Sequence, residues 1–325
     1  MQAFEYSNPA SLKEATGLLA ASWNEAEVLA GGTDLLSLMK DSLEAPKRLV
    51  NIKSIHELGG IGRTAAGLRI GTTVTMDELA RSAEVRAGYQ ALAEAAAGIS
   101  SPQIRHMGTV GGDLCQRPRC WYYRQGFGLL AMKDGKSLVV DGQNQYHAIF
   151  GGGPAYFVSA SSLGPALVAL GAKVKLVSAK GTREIPVKDF FVAPKEEGAR
   201  EIAMRPDEIL TEILVPATAT HSATYEVRQK EALDWPLAAA AVAIRMKGPV
   251  VGLARIVLGH VAPTPWEATA AGEGLAGKTI TAETAEAAGK AAVEGAQPLS
   301  HNAYKVTLAK TAVKRALLAA AKVRA

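Results

Sequence analysis

The stretch Gly108-Thr109-Val110-Gly111-Gly112-Asp113-Leu114-Cys115-Gln116-Arg117-Pro118-Arg119-Cys120-Trp121-Tyr122-Tyr123-Arg124 decides how this chain is to be read. Two adjacent glycines follow a threonine and a valine, and a basic, aromatic segment carrying both cysteines follows them. Without Cβ atoms, a Gly-Gly step lets backbone N–H groups converge on a concave site for an anion such as phosphate. A second such step lies upstream in Val28-Leu29-Ala30-Gly31-Gly32-Thr33-Asp34-Leu35-Leu36. There a short apolar run reads as a buried strand that opens into a Gly-Gly-Thr-Asp turn, with a helix behind it. Two anion-cradling loops suit a diphosphate, and a dinucleotide supplies one. Side chains at Gly32 or Gly111 are expected to fill the anion's space.

The rest of the composition bounds the answer. At 325 residues the chain has room for two or three compact units. Hydrophobic residues are 48% and charged ones 21%, the balance of a soluble globular protein. No apolar run reaches the roughly 18 residues that cross a bilayer, so no membrane insertion is expected. Met1-Gln2-Ala3-Phe4-Glu5-Tyr6 lacks the basic-then-apolar pattern of a signal peptide. The expectation is a cytoplasmic chain, with export left to a signal on a partner. A net charge of +5 and a pI near 9.1 come from scattered Lys and Arg, which reads as a solvated face and argues against nucleic acid. Two cysteines exclude a disulfide framework and fit a reducing compartment.

Along the chain three segments stand out. The first, to about residue 55, holds the strand Leu49-Val50-Asn51-Ile52 and an amphipathic helix from Ser11 to about Ala21, with Ser11 and Glu14 spaced as a capping box. The second, about 56–216, opens on a strand from Leu68 to Val74, continues in a helix capped around Thr75 to Asp77, and ends in the alternating strand Lys173–Val177. The third starts near Ala219, with strands from Thr224 to Lys230 and Val250 to Val261 and several alanine-rich helices. Its last helix, about Ala303 to Val323, puts Val306, Ala309, Val313, Leu317 and Ala320 on one stripe. Residues 121–150 are aperiodic, and a loop this long in a compact domain tends to be functional.

Two motifs point elsewhere and fail on context. Gly272-Glu273-Gly274-Leu275-Ala276-Gly277-Lys278-Thr279 spells a P-loop, but Trp266 to Ala271 reads as helix rather than the buried strand that motif needs. Gly277 there reads as the cap that ends a helix, and Thr279 to Glu283 as the start of another. Gly60-Ile61-Gly62-Arg63-Thr64-Ala65 loosely matches a dinucleotide fingerprint but precedes a strand, and reads as a hairpin turn. The histidines and cysteines show no zinc spacing, and no catalytic residue or metal ligand is assigned.

Taken together, the two Gly-Gly loops resemble those of the FAD-binding medium subunit of the molybdenum hydroxylases, the xanthine dehydrogenase, aldehyde oxidoreductase and carbon monoxide dehydrogenase relatives. Gly164 to Ala172, Arg205 to Ile213, Arg228 to Pro236 and Pro298 to Lys305 resemble later signatures in the same order, so the resemblance spans nearly the whole chain. It implies an α+β fold: a two-subdomain PCMH-type FAD-binding domain over 1–216, with an inserted loop at about 117–150, and a carbon monoxide dehydrogenase flavoprotein-like C-terminal α+β domain over 219–325. It implies that Leu29, Ala30, Gly31, Gly32, Thr33, Asp34, Leu35 and Leu36, with Thr109, Gly111 and Gly112, cradle the diphosphate and ribityl of FAD. Asp113, Gln116 and Ser162 would lie along the cofactor, Leu210 would pack near it, and Lys230 would set a cation close to its ring. The implied partners are a small [2Fe–2S] chain and a large molybdopterin chain, with NAD, a quinone or dioxygen as terminal acceptor.

The chain departs from its relatives at three places. The family's Gly-Gly-Asn is Gly-Gly-Asp113, a carboxylate that is free to hold a neighbouring arginine instead of the cofactor. Its Ser-Asp pair ends in Ser162, which replaces a charge-assisted bond with a neutral one. The inserted loop resembles that of a subgroup carrying a [4Fe–4S] cluster, with Cys120 at the first ligand's place. Residues 125–146 contain no further cysteine, so no cluster is expected. A flavin-free scaffold bridging the other two chains is the rival reading.

Overall fold

Sheet by sheet, the strands are used almost in chain order. The structure, a computed structural model, describes residues 1–99, 101–217 and 221–323; Ala219, the expected start of the third segment, lies outside them. The first sheet is parallel, with Arg48–Asn51 between Glu5–Ser7 and Ala26–Leu29. Parallel neighbours need crossovers, which the short helices Leu12–Gly17 and Leu35–Lys40 supply. The Ser11 hydroxyl accepts the Glu14 N–H at 3.2 Å, but the Glu14 carboxylate accepts from Ala10 N at 2.9 Å, one residue before a regular capping box. That helix ends at Gly17, short of the expected Ala21.

The second sheet is antiparallel in the order Ile61–Thr64, Gly67–Gly71, Ile209–Pro216, Lys173–Ser178, Gly181–Pro186. The fingerprint-like Gly60 to Ala65 is thus the first arm of a hairpin, with Thr64 opposite Gly67. Lys173–Ser178 alternates as expected, burying Val174, Leu176 and Ser178. The helix Met76–Arg81 starts on a full capping box between Thr75 and Glu78.

The third sheet corrects three expectations. Its strands run His221–Val227, Ala238–Lys247, Val250–Gly259 and Trp266–Glu267. Ala238–Lys247 is a strand in an alanine-rich stretch, buried from Ala238 to Ile244. It packs under the helices Leu163–Ala169 and Gln90–Gly98 on one side and Tyr304–Ala320 on the other, and only small side chains let helices approach both faces. Trp266–Glu267 is a short strand beside Val257 and Leu258 rather than helix, and the helix begins at Thr269. The strand from His221 ends at Val227, because Leu237 N returns to Val227 O at 2.7 Å and closes residues 228–236 into a loop. The helix Thr269–Glu273 is capped at Gly274 rather than at Gly277, which lies in the loop beyond it with φ +73, and Thr281 caps Ala282–Ala292, so the P-loop spelling has no strand-loop-helix behind it.

Residues 117–150 are ordered. They form the helix Trp121–Arg124 and a hairpin of Met132–Lys133 with Lys136–Ser137. Tyr123, Leu129 and Leu130 share a buried cluster with Leu38 and Phe157. The far end packs on the C-terminal unit: fully buried Asn144 accepts from His301 N at 2.9 Å and donates to Ser300 Oγ at 3.0 Å. Among the described residues no helix is long and apolar enough to cross a membrane.

Candidate functional site

The two Gly-Gly loops meet at one cleft. A Cβ on Gly31 would stand 1.9 Å from the Met107 carbonyl oxygen, so the first loop needs glycine to pass the entry to the second. Gly32 has φ +70, a left-handed turn that glycine adopts without strain. In the second loop Thr109 caps the helix Val110–Cys115, its Oγ1 accepting from Gly112 N at 3.1 Å, while Gly111 N donates to Thr72 O at 2.9 Å. A Cβ on Gly111 would meet the Thr72 Cβ at 2.8 Å, and one on Gly32 the Leu36 side chain at 3.1 Å. At both positions the missing side chain also lets the protein pack closely on itself. Gly31, Gly32 and Thr33 keep backbone N–H groups that no acceptor among the described residues takes.

The cleft has a volume of about 570 Å³, within the range of small-molecule and cofactor sites. All the residues expected at the site line it except Leu36 and Lys230. Leu36 turns to the outer side of its helix and is 37% exposed. Lys230 is exposed beyond the end of its strand, with its backbone N–H on Asp234 at 2.9 Å. Of the arginines in the wall, Arg228 lies two residues earlier, paired with Glu226 and donating to Gly98 O.

Asp34 joins the two loops. Its carboxylate accepts Arg117 N at 2.7 Å and Arg124 Nη2 at 2.9 Å, and pairs with Arg119. Burial opposes its ionisation, but Arg119 and Arg124 win and hold its pKa below the ordinary value. Asp113 holds no arginine among the described residues, contrary to that expectation. It accepts from the Ser161 hydroxyl, from Leu163 N at 3.0 Å, from Ser162 N at 3.3 Å and from Gln116 Nε2 at 3.0 Å. Its carboxylate therefore orders the turn that presents Ser162, and burial raises its pKa despite those bonds. Gln116 is fixed in turn by Ala160 O at 3.2 Å and by Arg119 at 2.8 Å. Leu210 lies at a bulge in its strand, its carbonyl accepting from Thr72 Oγ1 at 2.8 Å.

One end of the cleft is a buried ionic network that the sequence reading missed. Arg200 reaches Glu27 at 2.7 Å and Glu44 at 3.1 Å, and its guanidinium lies 4.1 Å from the Trp23 ring centroid. Arg117 reaches Glu44 at 2.8 Å; its Nε is 2.7 Å from Glu201 but not aligned for a hydrogen bond, which leaves that carboxylate without one. Three carboxylates thus face two guanidiniums. Burial, then the Glu44 charge, push Glu27 up to about 8 against the pull of Arg117. Cys115, in the cleft floor, is pushed by burial up to about 12 and stays a thiol. Trp235 was missed too; it lines the cleft with Arg119 stacked 4.8 Å from its ring centroid. Arg117, Arg119 and Trp235 lie inside the quoted stretches, whereas Arg200 and Glu201 carry no motif.

Residues 2–218 match the family described as the FAD binding domain in molybdopterin dehydrogenase, and residues 223–320 match the carbon monoxide dehydrogenase flavoprotein C-terminal domain. The chain is 33% identical to the carbon monoxide dehydrogenase medium chain of Hydrogenophaga pseudoflava, over 98% of this chain and 96% of that one. It is 31% identical to the aldehyde oxidoreductase FAD-binding subunit of Escherichia coli K12, over 95% and 96%. Among solved structures, reconstituted CO dehydrogenase from Oligotropha carboxidovorans superposes with a TM-score of 0.78 at 26% identity, covering 99% of both chains. Quinoline 2-oxidoreductase from Pseudomonas putida 86 does so with a TM-score of 0.76 at 27% identity, covering 99% and 98%.

Proposed function

The chain belongs to the family of FAD-binding subunits of the molybdenum hydroxylases, and from that premise we propose that its cleft holds one FAD non-covalently and that it passes electrons from a partner's [2Fe–2S] clusters to a terminal acceptor. The observation that carries this reading is the set of unpartnered N–H groups at Gly31, Gly32 and Thr33, which open on a cleft of cofactor size. Bound FAD supplies electron exchange at its isoalloxazine ring, a chemistry no side chain offers.

The chain's own residues bind and orient. Gly31, Gly32 and Thr33 donate backbone N–H groups to a diphosphate. Asp34 cannot repel that anion freely, because its oxygens are engaged by Arg117 N, Arg119 and Arg124; it clamps the first loop to the second. Ser162 offers a hydroxyl, Leu210 an apolar wall, and Arg228 the cation first sought at Lys230. The partners in this reading are a small [2Fe–2S] chain and a large molybdopterin chain in which the substrate is chosen. Two free cysteines support a reducing, cytoplasmic setting.

The test is reduction of the bound flavin by the partner. Adding the chemically reduced [2Fe–2S] chain to the flavin-loaded chain without oxygen is expected to bleach the flavin absorbance near about 450 nm. Bound flavin that stays oxidised in that mixture contradicts the electron-transfer role.

A further inference from the structure

Arg117 and Arg119 both hold Asp34, and from there their side chains diverge. The Arg117 guanidinium runs to Glu44 at 2.8 Å, while that of Arg119 lies 4.8 Å from the Trp235 ring centroid. The cleft therefore has two ends, with the glycine loops between them. A dinucleotide whose diphosphate sits at the loops sends one ring to each end. The ends differ in access: Leu233 and Trp235 are 74% and 45% exposed, whereas the side chains of Glu27 and Arg200 are 11% and 15% exposed. A ring that trades electrons with another chain needs the open end. The buried end is left for the other ring.

That end is built to hold one carboxyl still. Glu27 stands in the strand Ala26–Leu29, which at about 3.3 Å per residue puts it on the order of 10 Å from Gly31. Leu29, Ile52 and Ile209 supply apolar walls, and Cys115, its thiol raised by burial and then by the Glu27 charge, lies at the same end. Arg200 Nη2 donates to Glu27 Oε1 at 2.7 Å, and Arg200 is itself pinned by Glu44 at 3.1 Å and by the Trp23 ring at 4.1 Å. No donor among the described residues takes the second oxygen, Oε2. Glu27, Glu44 and Glu201 face only Arg117 and Arg200, so one buried carboxylate is left uncompensated and takes up a proton. Glu44 touches both guanidiniums and Glu201 lies outside the cleft wall. Glu27 touches one and lines the wall, and burial, then the Glu44 charge, push it up to about 8. Because Oε1 accepts from Arg200, the proton sits on Oε2.

We propose that Glu27 reads the adenine of the bound FAD, its Oε2–H donating to ring N1 and its Oε1 accepting from the N6 amino group. The proposal rests on the flavin reading and assigns the buried end of the same cleft. A protonated carboxyl sets one donor beside one acceptor, the complement of an acceptor at N1 and a donor at N6. Arg200 fixes which oxygen is which, so the match works in one sense only. Hypoxanthine carries N1–H and O6 instead, and would set donor against donor and acceptor against acceptor.

Base discrimination tests this. The full-length chain, freed of flavin, is titrated with FAD and with flavin hypoxanthine dinucleotide, and both affinities are read from flavin fluorescence. The wild type is expected to bind FAD about tenfold or more tightly than the analogue. Glu27→Leu should lose that preference together with about tenfold in FAD affinity, and Glu27→Gln, which keeps an acceptor and a donor, should retain both. Wild-type affinity for FAD should also fall as pH rises above about 8, a fall that Glu27→Gln lacks. Should Glu27→Leu not fold, the pH profiles of the wild type and Glu27→Gln decide. Equal wild-type affinity for the two dinucleotides, FAD binding unchanged in Glu27→Leu, or matching pH profiles overturns the proposal and leaves the flavin reading standing. A wild-type chain that binds no FAD overturns both.

Discussion

Gly31 shows how tightly single residues set this cleft. An added methyl would stand 1.9 Å from the Met107 carbonyl oxygen, against backbone that cannot rotate away. Gly31→Ala is expected to cost about 3 kcal/mol or more and to lose flavin, whereas a Cβ on Gly112 stands 3.1 Å from Thr109 Oγ1, a side-chain atom, and Gly112→Ala should cost less. Thermal unfolding and flavin content of the two variants check this; equal behaviour contradicts it. Glu27 gives a pH signature. It keeps its proton to about pH 8 when folded but loses it near the model-compound value of 4.5 when unfolded, so the folded chain binds the extra proton between those values. Wild-type stability relative to Glu27→Gln should therefore be greatest below pH 4.5 and fall as pH rises toward 8. Urea unfolding of both proteins at several pH values measures the difference, and one that is flat or rises with pH contradicts the buried, protonated Glu27. At this scale the sequence was legible for the places of the glycines and Asp34 in the cleft, because motif positions carry backbone demands, but not for the arginines that Asp34 binds. It was not legible for Arg200 and Glu201, whose roles come from distant partners, or for Asp113, whose bonds are to a turn about fifty residues away.

The strand-turn-helix around Gly31 and the capped helix after Thr75 were readable because strand period and capping are local signals. Ala238–Lys247 was not, since alanine favours helix and only packing between helices on both faces makes it a strand. The 117–150 loop lacked periodicity because its order comes from side chains anchored elsewhere. Asn144 is such an anchor, bonding Ser300, His301 and the carbonyls of Val139 and Val140. Asn144→Ala should cost roughly 1–3 kcal/mol and speed hydrogen exchange across residues 121–150. Exchange unchanged there would show that the aromatic contacts suffice. The same loop should carry no iron: Cys115 lies in the cleft floor and Cys120 lies against His147, and two thiols cannot form a four-thiolate site. Metal analysis near zero is the expected result; about four irons per chain contradicts it.

Across the whole molecule, the helices Gln90–Gly98 and Leu163–Ala169 share one buried core with the second sheet and with Ala241, Ala243 and Val257 of the third. The cleft wall draws on the first loop, the second loop and residues 228–236, so cofactor binding depends on all three sheets keeping their places. The direct measurement of the central claim is flavin stoichiometry: the purified chain is acid-precipitated, and flavin is quantified in supernatant and pellet. One FAD per chain, all in the supernatant, is the result this account predicts. Flavin retained in the pellet contradicts the non-covalent site, and its absence from both fractions contradicts the flavin reading and favours a scaffold that joins the other two chains.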